Sequence, residues 1–160
     1  MSLLRSRLAE HVPGVFHKIF ALAPQHGIRL VIFNRRDFNE STPLTLSDIE
    51  KIMKQPEDGN EEVIAEMRRS YFRDRASEFA TFLEYVVDKL DIPKISVNED
   101  GNRGTGGFAL MAWSAGNMYG VSLLAYADVI AERRRKKLEP YFRKLFLYGA
   151  HGFSSSMTLR

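Results

Sequence analysis

The sequence predicts an α/β fold, a partial doubly wound parallel sheet with flanking helices, and three observations carry that prediction. Short β-branched and aromatic runs recur at Ile28–Phe33 (IRLVIF), Phe108–Trp113 (FALMAW) and Lys144–Gly149 (KLFLYG). Each is too short for a buried helix and mostly apolar, as suits a strand covered on both faces. Stretches of helical periodicity separate them, and strands joined by helical crossovers pair in parallel.

In chain order, Val15, Phe16, Ile19, Phe20 and Leu22 lie at near-helical spacing up to Ala23, and Pro24 with Gly27 forms a stop signal. Ile28–Phe33 then reads as the first strand. The polar stretch from Asn34 to Thr45 has turn chemistry, and Ser47 followed by Glu50 reads as a capping box for a short helix. From Glu61 to Leu90, the residues Val63, Met67, Tyr71, Phe79, Leu83, Val86 and Leu90 are mostly three or four apart, which predicts one long helix or two with a break; Pro93 ends it. A Gly-rich turn leads into Phe108–Trp113. From Ala115 onward Met118, Val121, Ser122, Leu124, Ala125 and Val129 recur at helical spacing as far as the basic run Arg133–Lys137, and the third strand follows. The expected organisation is one domain over 1–149 and a polar tail over 150–160.

Bulk composition narrows the function. A chain of 160 residues that is 44% hydrophobic can build one core. A formal charge of +3 is too small to require a polyanionic partner. No cysteine is present, which excludes disulfides, thiolate metal sites and cysteine catalysis, and a cytoplasmic location fits best. Arg5 and Arg7 interrupt the first residues, so no secretory signal is expected, and no apolar run is long enough to span a bilayer. The histidines His11, His17, His26 and His151 show no ligand spacing, so neither a metal nor a cofactor is expected. The run Arg133–Lys137 reads as the solvated carboxyl end of a helix, where cations meet the favourable end of the dipole, in preference to a nucleic-acid contact. Gly104, Gly106 and Gly107 precede a strand, whereas phosphate-binding glycines follow one.

The chemistry concentrates in Leu110–Asn117 (LMAWSAGN), where Ser114 stands between a strand and a helix. A serine held there needs small residues two positions to either side, and Ala112 and Gly116 supply them. The helix start would place the Ala115 N–H beside it, where negative charge can be received. The plainer reading is a small residue at a tight turn, or a helix cap.

The ordered set Ala112-Trp-Ser-Ala-Gly116, the flanking GGFALMAWSAGNMYGVSLLAYAD, the earlier IRLVIFNRRDFNESTP and the later PYFRKLFLYG resembles the α/β-hydrolase superfamily over roughly residues 13 to 149. The first elbow position, usually glycine in that family, is Ala112. The resemblance implies a serine hydrolase acting on small-molecule acyl esters, with Ser114 as nucleophile and the Ala115 N–H as one oxyanion donor. Trp113, Arg36 and Asp37 are the candidate substrate contacts, although Arg35, Arg36 and Asp37 also suit a solvated turn. The aromatic content between Leu46 and Leu90 is compatible with an apolar acyl group.

The family's acid and histidine, which follow the serine in that order, have no counterpart. After Glu139 there is no carboxylate, and His151 arrives too soon. Asp128, Glu132 and Glu139 are expected to point away from the serine. The likeness therefore implies a fold lacking its first core strands and its last two or three. Such a sheet leaves an uncovered edge through which the chain would self-associate. The alternative reading is a non-catalytic, hydrolase-derived fragment that acts at most as a binding domain.

Overall fold

A computed structural model describes residues 17–37, 41–55 and 60–149. The chain falls into two compact units, Met1–Leu46 and Ser47–Arg160, and each is described by itself.

In the first unit, α1 (His17–Leu22) continues into a 3-10 turn, Ala23–His26, with Pro24 in its first turn. Gly27 closes it, its N–H donating to Pro24 O at 3.1 Å. The segment 28–33 forms no strand, which corrects the first of the three expected. Ile28, Val31 and Phe33 are exposed. A β-branched run has the propensity for a strand but becomes one only against a partner, and none pairs with it among the described residues. The polar turn that follows is closed by its own backbone: Asp37 N–H donates to Thr42 O at 3.0 Å, and Asp37 itself has a positive φ of 61°.

In the second unit, α2 (Leu46–Met53) begins one residue before the expected cap at Ser47. The periodic stretch beyond is a single helix, α3 (Glu61–Lys89). Asn60 starts it, its side-chain oxygen accepting from Glu62 N–H at 2.8 Å. Then come β1 (Phe108–Trp113), a 3-10 turn over Ser114–Gly116, α4 (Asn117–Ala125), a second 3-10 turn over Ala127–Val129, α5 (Glu132–Leu138) and β2 (Phe142–Tyr148). The expected continuous helix up to the basic run is therefore divided at Tyr126.

β1 and β2 pair in parallel, so the chain is mixed α/β as expected, with a two-stranded sheet among the described residues. Phe108 lies opposite Phe142 and Trp113 opposite Tyr148; a register shift after Phe108 leaves Arg143 as the extra residue. Its guanidinium donates to Gly104 O and Gly106 O, which ties the approach loop of β1 to the bulge.

The core lies on one face of this sheet. Leu110 packs with Phe79, Ala80, Leu83 and Val87 of α3, with Leu123 of α4, and with Ile130 and Leu138; Leu145 and Phe142 of β2 lean on the same cluster. On the opposite face Met111 and Trp113 of β1 stand beside Phe146 and Tyr148 of β2, and all four are exposed. The two-sided cover of a doubly wound sheet is not reached among the described residues of this unit.

Polar contacts brace the helices. Arg75 of α3, 7% exposed, lies 3.4 Å from Asp48 of α2 and 2.9 Å from Glu78, with its guanidinium over the Tyr71 ring. Tyr71 and Tyr119 of α4 share a hydrogen bond of 2.9 Å; burial and that bond push the Tyr71 hydroxyl above its ordinary range. The basic run of α5 turns to α3: Arg134 Nε donates to Glu84 at 2.7 Å, and Lys137 donates to Glu84 at 3.2 Å and Asp88 at 2.7 Å. No helix among the described residues is long and apolar enough to cross a membrane.

Candidate functional site

Ser114 is exposed at the carboxyl end of β1, where ligands bind in open parallel sheets. Its φ is +53°, the left-handed region that a residue with a Cβ enters only at a cost. Trp113 before it is extended, with φ −124° and ψ 135°, and Gly116 after it is helical. Over the four residues Trp113 to Gly116 the backbone changes from strand to left-handed to helix. That sequence of conformations reverses the chain and presents the serine side chain at the apex.

Three close approaches hold the reversal in place. Gly120, one turn into α4, lies so near β1 that a Cβ there would stand 3.0 Å from the Cβ of Ala112 and 3.0 Å from Leu145 Cδ1. Gly149, with φ +65°, follows β2 directly; a Cβ on it would meet Trp113 Nε1 at 2.9 Å and stand 3.9 Å from Ser114 N. Asn117, the first residue of α4, is 1% exposed and donates from Nδ2 to Tyr148 O at 3.2 Å. The end of β2 is thus fastened beside the serine turn.

The expected steric reason for the small residues flanking Ser114 holds at one of them. Ala112 is buried against Gly120, so a larger side chain there would push α4 off the sheet. At Gly116 an added Cβ would meet nothing within 4 Å, so no close contact requires glycine at that position.

Chemically, the turn offers a hydroxyl and the amides of a helix start. The Asn117 N–H is bonded to Ser114 O and Ala115 O, and the cap residue Trp113 gives the turn no side-chain hydrogen bond. Trp113 itself is partly exposed on the open face of the sheet.

Of the acids after the serine, none lies at the elbow end of the sheet. α4 runs back along β1, since Gly120 meets Ala112 and Leu123 packs with Leu110. Asp128 follows it at the far end. Glu132 pairs with Lys136 at 2.7 Å, and Glu139 directly precedes β2, whose first residue Phe142 lies opposite Phe108. A strand of this length separates Glu139 from Ser114 by about 20 Å. The described part of the second unit contains no histidine, and His151 with the rest of the 150–160 tail lies outside the described residues, as does His11. Among the described residues no group of three acids or histidines is placed to hold a metal ion.

Arg36 and Asp37 belong to the first unit. There Arg36 Nη1 donates to Pro43 O at 3.1 Å, across the turn that Asp37 closes through its own N–H. Both residues thus contribute to the loop's own geometry.

Sequence reading missed Asn117, Gly120 and Gly149. Asn117, Gly120 and Leu123 are three apart and buried in α4, as is Ser122, whereas Met118, Val121 and Leu124 of the periodic set are exposed. The small residues lie inward because the helix approaches the sheet too closely for larger ones. Comparison of the chain with protein-family models, with curated proteins and with solved structures gives no match.

Proposed function

We propose that this chain is an α/β-hydrolase-like serine hydrolase acting on small-molecule acyl esters, with Ser114 as its nucleophile. The observation that carries the proposal is the left-handed φ of Ser114 between a parallel strand and a helix. A serine at a plain turn or cap does not need that conformation, and strain of this kind collects where a side chain must be presented to a ligand. In the reaction Ser114 Oγ bonds to the acyl carbon, the tetrahedral oxyanion is received by the Ala115 N–H, and the ester C–O bond breaks to release the alcohol. Water then cleaves the acyl-serine. The hydroxyl proton passes to solvent, since no described residue of the second unit is assigned as base. Turnover is accordingly expected to be orders of magnitude below that of a complete triad. Trp113, next to Ser114 in the chain and partly exposed, is the residue we assign to border the acyl group.

A fluorophosphonate probe tests this directly. Attack by Ser114 forms an O–P bond and expels fluoride, so the folded protein should gain one covalent label that Ser114→Ala removes. Absence of label on folded protein, or equal labelling of Ser114→Ala, overturns the proposal.

A second reading is favoured by a different observation. Met111, Trp113, Phe146 and Tyr148 leave an apolar sheet face open, and the edges of the two-stranded sheet have no further strand among the described residues. A non-catalytic binding domain would use such a surface. In that case Ser114→Ala leaves every measured property unchanged.

A further inference from the structure

We infer that Asn117 is a positioning residue for Ser114, acting by fastening the end of β2 to the first turn of the elbow helix; as an account of catalysis this rests on the hydrolase reading, and as an account of geometry it does not. Asn117 is the largest fully buried side chain described, and it is the first residue of α4, beside the end of β2. The partner fixes the orientation of the amide: Tyr148 O can only accept, so Nδ2 must face it. Oδ1 is then buried with no hydrogen-bond partner among the described residues. A buried carbonyl without a partner lowers stability, and an apolar side chain of the same shape would avoid that loss. Stability alone therefore does not account for an amide here.

The amide sets a position. Tyr148 O is held at 3.2 Å, and the next residue, Gly149, approaches so closely that its Cβ position is 2.9 Å from the Trp113 indole nitrogen and 3.9 Å from Ser114 N. The strained serine is confined between α4 on one side and the end of β2 on the other, and Asn117 is the side chain that joins the two. Without it the 3-10 turn over Ser114–Gly116 is free to relax toward ordinary helix, where φ is negative and the hydroxyl is no longer at the apex.

Two isosteric variants separate this from a packing role. Asn117→Leu keeps the shape and removes both polar atoms. Its melting midpoint should match or exceed that of the wild type, while amide hydrogen exchange over Trp113–Gly116 and Tyr148–Gly149 accelerates and fluorophosphonate labelling of Ser114 slows roughly tenfold to a hundredfold. Asn117→Asp removes the donor at neutral pH and regains it when the carboxyl protonates. Its labelling rate relative to wild type should therefore recover as pH falls. Unchanged exchange and labelling in Asn117→Leu, or a pH-independent ratio in Asn117→Asp, overturns the inference. A wild-type protein that takes no label while Asn117→Leu still loosens those amides overturns the hydrolase reading and leaves the clamp standing.

Discussion

A Cβ on Gly120 would stand 3.0 Å from the Cβ of Ala112, so the elbow helix and the elbow strand meet almost backbone to backbone. The approach is set by two small side chains, and it fixes how far α4 can move once Ser114 has turned the chain. Gly120→Val should destabilise the fold by about 1 to 3 kcal/mol through overpacking. Gly120→Ala should fall closer to wild type, because relief of helical glycine entropy offsets a clash with one methyl group. Denaturant midpoints of the two variants check the order.

Ser114 itself should respond to glycine differently from alanine. Alanine keeps a Cβ and hence the strain of φ +53°, while glycine removes it. Ser114→Gly is expected to be more stable than Ser114→Ala by about 1 kcal/mol, with both unreactive toward a serine probe. Equal stabilities measured by thermal melting would show that the turn is relaxed in solution.

Arg75 and Asp48 are both nearly buried, with side chains 8% and 7% exposed, and they face one another between α2 and α3. Arg75→Ala removes one charged partner from a buried carboxylate and should cost about 1.5 to 3 kcal/mol. Replacing both, as Arg75→Met with Asp48→Leu, should recover most of that loss. Urea unfolding of the single and double variants measures the difference.

The attachment of α5 to α3 depends on pH. Hydrogen bonds from Arg134 and then Lys137 hold the Glu84 carboxyl below its ordinary value of 4.5, so the folded protein binds that proton more weakly than the unfolded chain. The contribution is complete above pH 4.5 and is lost as pH falls through the lowered folded value. Thermal midpoints should decline on that acid side, and Glu84→Gln should flatten the decline. Added salt should weaken it as well, since these side chains are partly exposed.

The open sheet face gives a fifth expectation. Met111 and Phe146 are neighbours across the strands, at 45% and 52% exposure, and charge placed on either should oppose association through that surface. Sedimentation of Phe146→Glu should depend less on protein concentration than that of wild type. Identical concentration dependence would remove this face from any self-association.

How far the sequence foretold these features varies with the kind of contact involved. Phe108–Trp113, the expected third strand from Lys144 to Tyr148 and the long α3 were legible because hydrophobic length and period report burial locally. The place of Ser114 between a strand and a helix was legible because small residues around a strand end are a local signature. Ile28–Phe33 is as short and mostly apolar as β1 yet joins no sheet among the described residues, since a strand is made by its neighbour as much as by its own residues. The helical spacing that marked α4 did not show which face packs, for a related reason. Met118, Val121 and Leu124 dominate the apolar count, but the packing face is chosen by how closely the helix approaches the sheet, and that selects Gly120 and Asn117. The partners of Asn117 and Arg75 depend on tertiary arrangement and left no mark on local pattern.

The parallel pairing of β1 with β2 also bears on when the serine turn can form. Two parallel strands cannot meet through a tight hairpin, so the whole α4–α5 crossover must be in place before Trp113 finds Tyr148. Until then nothing described here holds Ser114 in its left-handed conformation. The hydroxyl should therefore acquire its orientation late in folding, and substitutions far from it, at Leu138 in the crossover or at Glu84 of α3 on which the crossover docks, should slow the appearance of a reactive serine even where they touch nothing near it.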